Sequence, residues 1–81
     1  MFEQINEKIE VVARFRRNGL EPYKFLWQSR EILIKKINLA YSAYAGRSKI
    51  YFFAVSDGTS YFKLQFNTEN LRWTLLETYV D

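Results

Sequence analysis

Eighty-one residues are enough for one domain and too few for two. The chain has no Cys and no His, which excludes disulfides, thiolate nucleophiles, Cys-type zinc sites and the commonest general base. Its net charge of +3 is unevenly spread, with +5 over residues 1–63 and −2 over residues 64–81, a bias that permits nucleic-acid binding without requiring it.

In chain order, residues 1–7 are polar and acidic. They are read as a loose lead-in rather than a signal peptide. No apolar run approaches the roughly 18 residues of a membrane helix, so a cytoplasmic protein with no membrane partner is expected. Ile9–Arg16 alternates: Ile9, Val11, Ala13 and Phe15 share one face, and Glu10, Arg14 and Arg16 share the other. Asn18-Gly19 is a strong signal for a tight hairpin. Pro22 enters the returning strand, Tyr23–Trp27, where a missing N–H is tolerable. Gln28–Glu31 follows as a second tight turn.

Segment 30–45 supports two readings. As a strand it carries Ile32 and Ile34 on one face, and a bulge near Lys35-Lys36 returns Ile37, Leu39 and Tyr41 to that face. As a helix it carries Leu33, Ile34, Ile37, Tyr41 and Tyr44 as one stripe, capped by Ser29 and Gly46. The β-branched isoleucines and the hairpin before them favour the strand. Tyr41–Arg47 reads as an irregular loop of small residues with Tyr41, Tyr44 and Arg47 as contact residues.

Ile50–Val55 is apolar on both faces, which suits a covered central strand. Asp57-Gly58 marks the next turn. Tyr61–Phe66 puts Phe62, Leu64 and Phe66 inward and Tyr61, Lys63 and Gln65 outward. After the polar turn Asn67–Asn70, Leu71, Trp73 and Leu75 face inward. The expected architecture is all-β: six antiparallel strands in an up-and-down meander, curled into a small barrel or half-barrel to cover its apolar face. The alternative is an α+β domain with one helix at about residues 30–45 on five strands. The expected core is Ile9, Val11, Phe15, Phe25, Trp27, Ile34, Phe52, Phe62, Leu64, Trp73 and Leu75.

No catalytic, metal-binding or cofactor-binding residues are assigned, and no enzyme activity is expected. Ser48-Lys49 could form a nucleophile–base pair, but neighbours on a strand point to opposite faces. Glu7 with Glu10, and Glu69 with Glu77, read as solvated charges near strand ends. Binding is the open question. Arg14, Arg16, Arg17, Lys24, Tyr61 and Lys63 are read as one outward basic and aromatic surface. Such a surface suits a protein partner or a second copy of the chain, since aromatics and Arg dominate interface hot spots. It also suits single-stranded nucleic acid, where cations meet phosphates and rings stack on bases. A small ligand inside so narrow a barrel is not expected.

Several of these residues also carry a resemblance. Pro22, Phe25, Trp27, Arg30, Ile32 and Ile34, then Tyr41, then Tyr51, Phe52, Val55 and Gly58, then Phe62 and Leu64, and finally Trp73, Leu75, Tyr79 and Asp81 follow a spacing that resembles a family of short uncharacterised bacterial β proteins. The family's members stand alone or lie beside error-prone DNA polymerases of the Y type. It favours Gly where this chain has Ser29 and Trp where it has Tyr41. The resemblance implies an all-β fold and a DNA-repair neighbourhood, and no activity.

Overall fold

Alternation of apolar and polar side chains dictates strands, and strands are what form. The structure, a computed structural model, describes residues 2–17 and 19–80. It contains β1 (Phe2–Arg16), β2 (Gly19–Trp27), β3 (Arg30–Leu33), β4 (Lys36–Ala45), β5 (Ser48–Ser56), β6 (Ser60–Asn67) and β7 (Arg72–Val80). All pairings are antiparallel, in the order β3-β2-β1-β7-β6-β5-β4. The domain is an all-β curled meander, and no described residue is helical.

The strand count is seven because 30–45 divides in two. The Ile34 amide donates to the Tyr23 carbonyl on β2, and the Lys35 amide donates to the Ser56 carbonyl on β5, both at 2.8 Å. The chain therefore changes partner between these two residues. β1 does the same with its two halves: Phe2–Ile9 runs beside β7, and Glu10–Arg16 runs beside β2. These two corners fold the three-stranded layer β3-β2-β1 over the five-stranded layer β1-β7-β6-β5-β4. The lead-in expected over residues 1–7 is thus a paired strand from Phe2 onward, with a break in register between Gln4 and Glu7 where Asn6 has φ 54°.

The core lies between the layers. Phe25 and Ile32 from one layer meet Phe53, Val55, Phe62, Leu64 and Leu75 from the other. The Phe25 and Phe62 rings meet edge-on at 5.1 Å, and Trp27 approaches Phe62 at 6.2 Å. Ile9, Val11, Ile34 and Trp73 pack against this cluster from its margins. Burying aromatic and aliphatic side chains of this size contributes roughly 1.5–3 kcal/mol each.

Five residues depart from the positions read along the chain. Phe15, opposite Leu20 near the end of β1, is 78% exposed rather than part of the core. Phe52 points outward, and Phe53 and Val55 take the core positions. In β4 the register slips between Ile37 and Leu39 rather than at Lys35-Lys36. Ile37 stays against the core, while Leu39 and Tyr41 turn outward. Leu71 is an exposed turn residue with φ 58° rather than an inward strand residue.

The turns follow from local chemistry. Gln28 and Ser29, at φ 53° and 60°, form a two-residue connection between the paired Trp27 and Arg30. Positive φ at both central residues matches the type I′ hairpin, whose twist suits the flanking strands. Gly46, at φ 65°, opens the equally short turn between Ala45 and Ser48, so the irregular loop expected over residues 41–47 is strand up to Ala45. Gly19 pairs with Arg16, which moves the first turn one residue toward the N-terminus. Asn18, expected at that turn, lies outside the described residues.

Candidate interaction surface

The outward cations divide between two opposite surfaces. Phe25 and Phe62 touch through the core, and successive side chains on a strand point to opposite faces. Lys24 and Lys63, each adjacent to one of these rings, therefore point away from each other. Arg14, Arg16 and Lys24 lie on the outside of the three-stranded layer, and Tyr61 and Lys63 lie on the outside of the five-stranded layer. The single basic and aromatic face expected from the sequence is not formed.

On the three-stranded layer the charges are largely matched. Glu21 pairs with Arg14 at 3.6 Å and with Arg16 at 3.2 Å. Glu31 pairs with Lys24 at 3.3 Å. The Arg14 guanidinium also lies 4.4 Å from the centre of the Tyr23 ring. Exposed pairs of this kind contribute at most about 1 kcal/mol each, but they cancel much of the local positive field. Arg17 and Phe15 sit exposed at the tip of the β1–β2 hairpin, beyond these pairs.

On the five-stranded layer the outer surface is aromatic. Tyr41 and Phe52, directly opposed on β4 and β5, stack with centroids 5.0 Å apart and an interplanar angle of 17°. The Lys63 ammonium is 5.8 Å from the Tyr41 centroid and 5.7 Å from that of Phe52. These distances are within cation–π range, where the ring quadrupoles attract the charge. Tyr61 and Tyr79 pair across β6 and β7 at 6.3 Å. Glu77 opposes Lys63 across the same two strands. The structure thus joins Tyr41, Phe52 and Lys63, which the sequence had assigned to a loop, the core and a basic face.

β4 borders this surface as an edge strand, paired with β5 alone. From Asn38 to Ala45 every residue is exposed. Ile37 to Ala45 contains no charged residue and no proline. The opposite edge, β3, has only four residues, two of them Arg30 and Glu31. Short length and charge are the usual protections of an unpaired edge, so β3 is protected and β4 is not. Tyr44 is 71% exposed, on the face of β4 opposite to Tyr41. Arg47 is exposed in the following turn.

Residues weighed for catalysis have structural partners. The Ser48 hydroxyl donates to Glu69 at 2.7 Å. The Trp27 indole N–H donates to Glu7 at 3.1 Å and ties β2 to the first half of β1. Glu7 and Glu10, three residues apart on one strand, point to opposite faces. The Asp57 carboxylate accepts the amides of Thr59 and Ser60, at 2.9 and 2.8 Å, and the Thr59 hydroxyl. Burial pushes its pKa up, and these hydrogen bonds outweigh that and hold it below the ordinary value of 3.8. The buried hydroxyl of Thr78 donates to the Tyr61 carbonyl, and that of Ser56 accepts the Gly58 amide. Among the described residues no three Asp or Glu side chains converge as a metal site would need, and no helix is long and apolar enough to cross a membrane.

Comparison with family models, curated proteins and solved structures finds no match.

Proposed function

We propose that this protein is a non-catalytic binding or adaptor module of the cytoplasm whose partner is another protein or a second copy of itself. The contact surface is the β4 edge together with the Tyr41–Phe52–Lys63 cluster beside it. The observation that carries this reading is the open, uncharged edge from Ile37 to Ala45. An added strand would complete the backbone hydrogen bonds that β4 leaves unpaired, and pockets beside alternate side chains would supply selectivity. Exposed tyrosines flanking such an edge supply large contact area at low conformational cost.

The test is selection from a displayed library of random peptides. Extended, strand-forming peptides should bind the wild-type protein, and Tyr41→Glu, which puts a charge beside the edge, should abolish that binding. Recovery only of peptides indifferent to Tyr41→Glu would remove β4 from consideration.

A second reading, binding of single-stranded nucleic acid, has one observation in its favour: Phe15 and Arg17 lie exposed at the hairpin tip. That grouping offers a stacking ring and phosphate contacts, and it accords with the DNA-repair setting implied by the family resemblance. Titration with labelled single-stranded DNA decides this reading. Affinity should fall with salt at a log–log slope of about −0.7 per phosphate contacted and should be lost in Arg16→Glu with Arg17→Glu. Absence of binding at low salt rejects it.

A further inference from the structure

We infer that β4 pairs with β4 of a second copy, antiparallel, about a two-fold axis through Ser42, so that two seven-stranded sheets become one continuous sheet. This rests on the binding-module reading and names the partner.

The regular part of the strand sets the register. The slip in register lies between Ile37 and Leu39, so the stretch able to extend a regular ladder is Leu39-Ala40-Tyr41-Ser42-Ala43-Tyr44-Ala45. Its middle residue is Ser42. Antiparallel pairing about that residue sets Leu39 opposite Ala45, Ala40 opposite Tyr44, Tyr41 opposite Ala43, and Ser42 opposite Ser42. Every large side chain meets an alanine of the other copy. Directly opposed side chains have Cβ atoms roughly 4.5–5.5 Å apart, so a large residue against a small one fills the space without a clash.

Facing is consistent with this register. Tyr41 opposes Phe52 on the outer face of the sheet, and Ala40 opposes the inward Phe53. Leu39, Tyr41, Ala43 and Ala45 therefore share the outer face, and Ala40, Ser42 and Tyr44 share the inner one. Each proposed pair joins residues of like facing, as a continuous sheet requires. The two Tyr41–Phe52–Lys63 clusters would then flank the axis on one face and form a single aromatic surface across both copies.

The length of the regular stretch selects the same register. Pairing about Ser42 keeps all seven residues of the regular stretch, none of them charged, within the ladder. Pairing about Tyr41 would run the ladder into the slip, with Tyr44 against Asn38 and Ala45 against Ile37. Pairing about Ala43 places the exposed Leu39 opposite Arg47, beyond the end of the strand.

The test uses light scattering on the full chain with two charge variants at the axis. Wild type is expected to run at twice the chain mass at high concentration and to dissociate on dilution. Ser42→Lys and Ser42→Glu, at an exposed strand position, should keep the wild-type far-ultraviolet spectrum and be monomeric. An equimolar mixture of the two should recover the dimer, because residue 42 meets itself only in this register. Variants that remain dimeric separately, or a mixture that stays monomeric, would overturn the pairing. So would a wild-type chain monomeric at every soluble concentration. If that monomer still selects peptides sensitive to Tyr41→Glu, only the self-pairing fails; if it selects none, the binding-module reading fails with it.

Discussion

Asp57 shows how much one side chain can organise. Three donors from Thr59 and Ser60 converge on a single carboxylate oxygen, which holds the four-residue connection between Ser56 and Tyr61 in shape. Because the folded pKa lies below the ordinary value of 3.8, the charged form stabilises the fold. That contribution is fully present above the unfolded pKa and is lost as pH falls through the folded one. Asp57→Asn keeps an acceptor and removes the titration. It should cost about 1 kcal/mol at pH 7. The gap between the two proteins in urea unfolding should stay constant above about pH 5 and narrow below about pH 4; a constant gap through the acid range would reject the role. The Asp-Gly pair marked this turn in the sequence, but not its length, since the carboxylate supports a wider loop than two residues. Phe52 and Phe53 were harder to tell apart. On a strand apolar on both faces, periodicity cannot say which aromatic faces in, and here the stack of Tyr41 on Phe52 outside leaves Phe53 to the core.

At the scale of elements, connections decide register. The β2–β3 turn is made by Gln28 and Ser29, both with positive φ, a conformation that costs a residue bearing a Cβ roughly 1–2 kcal/mol relative to its preferred regions. Glycine adopts it without that cost. Ser29→Gly should therefore stabilise the protein by about 0.5–1 kcal/mol, net of the extra unfolded-state entropy of glycine, and raise the urea midpoint without changing the slope. An unchanged or lower midpoint would mean that the Ser29 side chain contributes something that offsets the strain. Five strands and the ambiguous segment were legible because alternation and turn residues agreed. What could not be read was where a strand changes partner. β1 passes from β7 to β2 without any break in its alternation at Ile9-Glu10, and residues 1–7 looked loose because Gln4 and Asn6 interrupt the pattern where the register slips. The β4 slip at Asn38 similarly reversed Leu39 and Tyr41, and with them the location of the candidate surface.

Across the whole molecule, the sheet order is the chain order with one displacement. Strands β4 to β7 follow one another, as do β1 to β3, and only β1 beside β7 joins distant parts of the sequence, with Phe2 opposite Tyr79 and Ile9 opposite Trp73. β3 and β4 are consecutive in the chain yet form the two edges. If the chain were opened between Ile34 and Lys35 and its ends joined by a short glycine-rich linker, every neighbouring pair of strands would become a hairpin. The long-range closure between β1 and β7 would be replaced by a short one. Loop-closure entropy grows as (3/2)RT ln n, so shortening that loop from the length of the chain to a few residues removes about 2 kcal/mol. All-β domains fold slowly because such closures precede the contacts that reward them. Trp27 and Trp73 both pack against the core, so their fluorescence reports folding in either connectivity. The natural chain should refold in milliseconds to seconds, and the permuted chain up to about thirtyfold faster if the β1–β7 pairing is formed in the transition state. At equilibrium part of that gain should be offset, because Ile34 and Lys35 would lose the covalent link that holds the corner between Tyr23 and Ser56. A permuted chain that folds no faster would place the nucleus within β1-β2-β3 or β4-β5-β6-β7, whose pairings the permutation leaves unchanged.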